Sequence, residues 1–297
     1  MYQVIIWGTG HCYNRFFNMV KLQELTGAVK VVAVISDDRD IKDHIDGYPY
    51  VRKEEAASLE FDYCLVAIDN FQSVITEADF LGIPRQKLIP LRTLAIPYFD
   101  FDKYIAIKES NLTIFSCNCW GGSCYHYLGL EFLSPTINMF FDPSEYNQFL
   151  TGLEYYLSLP VQFVETRYET NLKRDYPVGQ LGDIRLYFNH YVDFEQAREC
   201  WERRKKRINM DNLLCVSHTE SEHVALAFDK LPYKNKVIFI PQDLAMEDTS
   251  SSCRLYYQDC HDGVNFGMTV NKTANGTKSL LNIFKLLSHE AGFVRAL

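Results

Sequence analysis

Val4-Ile5-Ile6-Trp7-Gly8-Thr9-Gly10 is a short apolar run closed by a glycine turn. Behind it, residues 14–25 place Phe16, Phe17, Val20, Leu22 and Leu25 at near-helical spacing. Strand, glycine turn, helix is an arrangement that aims backbone N–H groups at an anion. A β-branched run over 29–35 follows and ends in Ser36-Asp37-Asp38, where an acid would meet a ribose hydroxyl. Residues 63–68 read as a third strand, about 71–81 as a helix and 87–91 as a fourth strand. Continuous Val/Ile runs separated by helices indicate a parallel sheet covered on both faces. The expected fold class is therefore α/β, beginning with half of a Rossmann-like, doubly wound domain.

That half-domain departs from a dinucleotide fingerprint. The third glycine position is Tyr13, and His11 and Cys12 crowd the turn. Gly8, Gly10 and Asp37 are thus candidates to hold a nucleotide or nucleotide-sugar, with a degenerate domain kept for packing as the alternative. Use of NAD(P) in an oxidoreductase is a third reading.

The whole chain has 297 residues, long enough for two cores. A net charge of −8 and a pI near 5.5 argue against a nucleic-acid partner, which would need an electropositive face. No apolar run approaches the ~20 residues of a membrane helix, so an integral membrane protein is not expected. The nine cysteines are not at disulfide-framework spacings. With a strand beginning at Tyr2, they suggest a cytoplasmic chain with reduced thiols. Residues 95–109 read as a linker. Strands are expected near 113–117, 136–141, 161–166, 184–189, 213–217, 236–240 and 254–257. Helices are expected near 123–133, 143–157, 193–207, 219–229 and 276–290. Asp193 with Gln196 forms a capping-box pattern, and Pro143 suits a first helical turn.

Three segments carry candidate chemistry. In Cys117-Asn118-Cys119-Trp120-Gly121-Gly122-Ser123-Cys124-Tyr125-His126, Ser123 would cap a helix whose first residue is Cys124. The helix dipole would then lower that thiol's pKa and make it a nucleophile, with His126 or His190 as acid/base partner. Gly121 and Gly122 would approach an anion. Zinc binding and plain burial of the cysteines are the other readings, and C-x-C-x4-C-x-H is not a standard zinc spacing. In the second segment, a strand ends in Asn189-His190-Tyr191, which suits His190 to acid/base work with Asp183 as an orienting carboxylate. A core histidine and a turn aspartate would serve equally well. In the third, Arg203 and Arg207 lie four apart in Trp201-Glu202-Arg203-Arg204-Lys205-Lys206-Arg207 and could share a phosphate; a solvated helix face is the alternative. Asn275-Gly276-Thr277-Lys278-Ser279 echoes a Walker A loop without its upstream glycine and reads as a helix start.

Cys119-Trp120-Gly121-Gly122, Leu128-Gly129-Leu130, Ser134-Pro135-Thr136-Ile137-Asn138-Met139, Tyr176-Pro177-Val178-Gly179, Leu181-Gly182-Asp183 and His190-Tyr191 occur in that order. Over about 110–240 this series resembles a bacterial family of unknown function whose members are often labelled exopolysaccharide-biosynthesis proteins. The residues before it are similar, more weakly, to Rossmann-like units attached to cell-surface sugar enzymes. The resemblance implies a pathway, the assembly or decoration of surface polysaccharide. It implies no catalytic residues.

The expected organisation is a Rossmann-like parallel-sheet domain over 1–94, a linker over 95–109 and a larger mixed α/β domain over 110–297. The leading functional expectation is a transferase-type enzyme of surface-polysaccharide biosynthesis acting on a sugar nucleotide or phosphate-bearing sugar. A non-catalytic nucleotide-binding or assembly protein is the alternative. The expected ligand is a small sugar or nucleotide, and a homo-oligomer is left open.

Overall fold

A computed structural model describes residues 1–38, 40, 43–170, 173–256, 266–274 and 281–293. Asn275-Gly276-Thr277-Lys278-Ser279 lies outside them. The chain divides into two compact units, residues 1–108 with 126–130, and residues 109–125 with 131–297.

The smaller unit begins with β1 (Tyr2–Trp7), α1 (His11–Leu25) and β2 (Val29–Ser36), as the opening run predicts. A hairpin of β3 (His44–Ile45) and β4 (Tyr48–Arg52) follows, then β5 (Tyr63–Val66), α2 (Phe71–Phe80) and β6 (Leu88–Pro90). The sheet order is β3-β4-β2-β1-β5-β6, parallel except for the edge strand β3. Val4 to Trp7 are buried on both faces of it, the reason the run is continuous rather than alternating. The half-domain read from sequence is completed by β4, whose Pro49 and polar flanks hide its strand character. The strand order now reverses between β1 and β5, which opens a crevice beyond their carboxyl ends.

Residues 95–109 are not a linker. They hold α3 (Phe101–Glu109), and Phe101 packs its ring against Tyr2 and Tyr63. Phe101, Tyr104, Ile105 and Ile107 are buried, so the run reads as polar connection only when its helical period is missed.

The larger unit contains β7 (Thr113–Ser116), α4 (Trp120–Leu128), α5 (Pro143–Thr151) and α6 (Leu153–Ser158). Then come β8 (Gln162–Glu169), β9 (Arg174–Leu181), β10 (Ile184–Tyr187), α7 (Phe194–Lys205), β11 (Leu213–His218) and α8 (Glu222–Asp229). β12 (Lys236–Pro241), β13 (Ser252–Leu255), α9 (Phe266–Asn271) and α10 (Ile283–Leu287) complete the described elements. A parallel sheet of order β13-β12-β11-β7 is accompanied by an antiparallel sheet of order β10-β9-β8. The Asp193 cap forms as expected, accepting from Gln196 N at 2.8 Å, and Pro143 opens α5 as expected, behind an Asp142 cap that accepts from Ser144 N at 2.9 Å.

Three local expectations fail for identifiable reasons. No strand runs over 136–141. Thr136 Oγ1 takes the Ser116 N–H at 3.1 Å and Asn138 has φ +62°, which breaks the extended run and leaves a single antiparallel bridge of Phe140 to Tyr187. The helix expected over 143–157 breaks at Gly152 into α5 and α6. β9 is hidden in the sequence by Pro177 and Gly179, residues that usually argue against a central strand. Gly179 is required there, since a Cβ would lie 2.7 Å from Val161 Cγ1 and 2.9 Å from Phe188 Cε2.

Candidate functional site

In the smaller unit, Gly8 and Gly10 sit where the sequence places them, at the mouth of the β1/β5 crevice. Gly8 has φ +106°, and a Cβ there would stand 3.0 Å from Ala67 O, so a larger residue would be strained as well as crowded. Gly10 precedes α1, whose N-terminus no side chain caps among the described residues. Tyr13 fits in place of the third glycine by burying its ring and donating to Asp46 Oδ2 at 2.9 Å. Asp37, just after β2, is ion-paired through one oxygen: Lys53 Nζ lies 2.6 Å from its Oδ2 and pairs with Glu77 as well, while the Asp37 side chain stays 63% exposed. No local pattern singles out Arg92, which donates to Asp69 O at 3.1 Å and to His126 O at 3.0 Å beside this mouth. Burial, and then the Arg92 charge, depress the His126 pKa.

The nucleophile expected at Cys124 is not formed. α4 starts at Trp120, because Asn118 Oδ1 accepts from Trp120 N at 3.1 Å and ends the loop earlier than Ser123 would. Cys124 therefore lies in the second turn, fully buried, and burial pushes its thiol pKa up rather than down. Gly121 and Gly122 are inside the helix, and the Gly121 N–H is taken by Ser116 Oγ at 3.0 Å rather than left for an anion. A Cβ on Gly121 would meet Ser116 Oγ at 2.8 Å and one on Gly122 would meet Ile137 Cγ2 at 3.2 Å, so both let α4 lie close against its neighbours. We expect Cys124→Ser to cost about 1–3 kcal/mol in stability, as a buried hydroxyl without a partner does. Cys124 should also resist iodoacetamide near pH 6 in the folded protein, and rapid alkylation there would contradict this burial.

The residues that do converge come from the carboxyl ends of β7, β8 and β11, the loop after β10, α9 and the segment before α5. They line a cavity of about 260 Å³ formed by Asn118, Cys119, Phe140, Phe141, Glu169, Asn189, His190, His218, Gly267, Met268 and Asn271. This is the end of a parallel sheet where ligands characteristically bind. Long-range hydrogen bonds fix the walls. Asn118 Nδ2 donates to Gly267 O at 3.1 Å, and Trp120 Nε1 to Thr273 Oγ1 at 2.8 Å, so both ends of α9 are tied to the segment after β7. Phe140 stacks on Tyr187 at 4.7 Å and 6°, presenting a flat aromatic wall.

His190 lies on that cavity, as its place after a strand implied. Arg174 Nη2 donates to Asn189 O at 2.7 Å and lies 3.3 Å from His190 Nδ1. Nδ1 is then the acceptor and Nε2 carries the proton. Burial and the Arg174 charge lower the His190 pKa, so the ring is neutral. His218, the last residue of β11, is lowered to about 4 by burial and has Nδ1 enclosed without a partner among the described residues. Asn271 Oδ1 is likewise buried and unpartnered. Cys119 donates weakly toward Asn189 Oδ1 at 3.9 Å, and burial raises its pKa to about 12, which keeps it a thiol. His218 is absent from the sequence motifs, although it repeats the feature that singles out His190, a histidine closing a strand. Asn271 carries no local signal.

Asp183 does not orient His190. It occupies the turn before β10, at the far end of that strand, and accepts from Tyr156 OH at 2.7 Å and Gln148 Nε2 at 2.6 Å. Arg203 and Arg207 do not share a ligand either. α7 ends at Lys205, so their four-residue spacing no longer means a common face; Arg203 reaches Cys200 Sγ and Arg207 pairs with Glu131 at 2.9 Å. The buried arginine is Arg204, which donates to Tyr191 OH at 2.5 Å and lies over the Phe132 ring. Among the described residues no group of His, Cys, Asp and Glu is arranged to hold a metal ion, and no helix is long and apolar enough to cross a membrane.

Comparison with known proteins gives two family matches. Residues 91–288 match the model of a family described as domain of unknown function (DUF1919), and residues 1–89 match one described as C2185-like, N-terminal. A protein of Haemophilus influenzae named only as uncharacterized is 35% identical over 137 residues, which is 45% of this chain and 63% of that relative. The similarity thus spans less than two thirds of the relative's length.

Proposed function

Taking as premise that the chain belongs to the family described as domain of unknown function (DUF1919), we propose that it is a transferase-type enzyme of cell-surface polysaccharide biosynthesis. Its β7/β11 cavity would take the sugar of a sugar nucleotide or phosphate-bearing sugar. The observation that carries this reading is the polar lining of that cavity, which includes His218 and Asn271, whose Nδ1 and Oδ1 are enclosed without a partner among the described residues. A buried polar atom without a partner costs about 1–3 kcal/mol, so His218 Nδ1 and Asn271 Oδ1 favour a ligand that supplies hydrogen bonds. Neutral imidazoles, three asparagines and Glu169 beside the Phe140 face suit a polyhydroxylated ring with one apolar side. The volume is slightly under the ~300–1,000 Å³ of drug-sized sites, which fits a single small moiety.

In this reading His218 accepts from a substrate hydroxyl and His190 donates through Nε2. Cys119 stays protonated and contributes shape. A nucleotide-linked donor would place the reaction in the cytoplasm. The uncapped α1 N-terminus beside Gly8 and Gly10 favours a second reading, in which the smaller unit binds nucleotide without doing chemistry.

A thermal-shift screen against UDP-, GDP- and CMP-sugars, the free sugars, NAD(P)(H) and phosphate tests both. A sugar or sugar nucleotide at 100 times its dissociation constant should add about 2.7 kcal/mol. Asn271→Leu, which removes an orphan acceptor, should weaken that ligand about tenfold, or about 1.4 kcal/mol. A shift with nucleotides that Asn271→Leu leaves untouched supports the second reading. No shift with any sugar-bearing compound would sink the first.

A further inference from the structure

Among the described residues, the antiparallel sheet leaves one long edge unpaired. β8 is its terminal strand among the described elements, and every one of its eight residues is exposed or half-buried. Phe163 and Tyr168 are 53% and 62% exposed, and Tyr155 and Val192 add further exposed apolar surface. Natural edges are usually blunted by charge or by a bulge. β8 has both: a register shift between Phe163 and Glu165, and the charges Glu165 and Arg167. Those charges are symmetric about Thr166, and that symmetry points to a partner.

We propose that two copies of this chain pair antiparallel through β8, about a two-fold axis at Thr166, to join their sheets into one six-stranded sheet. In that register Thr166 faces Thr166 of the second copy. Glu165 faces Arg167 of the second copy on one side of the axis, and Arg167 faces its Glu165 on the other. Each of these is a favourable cross-strand pair. Moving the axis by one residue sets Glu165 against Glu165, or Arg167 against Arg167, so charge selects a single register. The bulge at Val164 ends the regular ladder and limits it to the central residues. Within one chain Arg167 Nε contacts Glu165 Oε1 at 2.7 Å, Glu165 lies 3.9 Å from Arg185 Nη1 and Arg167 lies over the Tyr187 ring, so both side chains sit on one face of the sheet and turn outward to bridge. The interface is isologous and closes on itself, as a two-fold dimer must.

The test is sedimentation velocity on the full chain over a range of micromolar concentrations, with circular dichroism confirming that each variant is folded. Wild type is expected to dimerise. Glu165→Arg alone and Arg167→Glu alone should each weaken the dimer by about tenfold or more, because like charges then oppose each other twice. Mixing the two single variants should restore it as a heterodimer. The Glu165→Arg copy then sets two positive side chains against two negative ones on the Arg167→Glu copy. Rescue in the mixture separates an intermolecular pair from the intrachain one, which mixing leaves broken. A wild type that stays monomeric, or single variants that dimerise as tightly as wild type, would overturn the proposal.

Discussion

Trp201→Ala is expected to destabilise the larger unit by about 3–5 kcal/mol, the range for removing a fully buried large aromatic. In the sequence Trp201 stands beside a run of basic residues and invites a role at a phosphate. In the structure it has no exposed surface, and its ring meets Phe149 edge-on at 6.3 Å and 60°. Ala197, Trp201 and Arg204 are the buried positions of α7, at helical spacing, so the indole is what seats that helix on the core. Truncation leaves a void that Phe149, Tyr156 and their neighbours cannot all collapse into. Its Nε1 has no partner among the described residues, so Trp201→Phe forfeits no hydrogen bond and should cost less than half as much. Urea unfolding would show this as a lower midpoint at unchanged slope. A loss below about 1 kcal/mol for alanine would mean that the site is loosely packed.

The second large effect is an acid sensitivity centred on His218. Burial lowers its pKa from 6.5 in the unfolded chain to about 4 in the fold. Between these values the unfolded state binds a proton that the folded state refuses, so protons drive unfolding. The associated stability is fully present above about pH 6.5, drains away as pH falls toward 4, and is not lost further below that. The shift corresponds to about 3 kcal/mol at most. His126, His190 and His289 are also lowered and contribute with the same sign. His218→Gln isolates the contribution: its unfolding free energy should fall less steeply than wild type between pH 6.5 and 4. Parallel pH profiles for the two proteins would contradict a neutral, enclosed His218. A ligand that donates to Nδ1 should hold the ring neutral and deepen the dependence.

Much of the fold was legible because it is written in short-range pattern. The continuous apolar runs of β1, β5, β11 and β12 mean burial on both faces, and a residue run of that kind needs no knowledge of its neighbours. Asp142 and Asp193 announce helix starts by their own side chains. Pro177 and Gly179 mislead for the complementary reason: their local preference is against a strand, and for Gly179 it is the close approach of Val161 and Phe188 that justifies it.

The candidate site was legible at His190 and not at Cys124. A small error in where α4 begins moved Cys124 from a dipole-activated end to a sealed interior, and with it reversed the sign of its pKa shift. Asp183 shows the same dependence on distance. It stands close before His190 in sequence, yet the length of β10 separates them and its carboxylate is spent on Tyr156 and Gln148.

Periodicity, helix caps and the glycine turn at Gly8 and Gly10 can be read from the chain alone, because each depends on atoms within about one turn or one strand of the residue concerned. That Asn118, Asn189, His218 and Asn271 share a cavity, and that two of them enclose a polar atom without a partner among the described residues, belongs to the folded molecule only. These residues are brought together by strand order and by hydrogen bonds spanning up to 153 positions. Desolvation and the loss of hydrogen-bond partners are properties of the assembled surroundings, which no local stretch of chain contains.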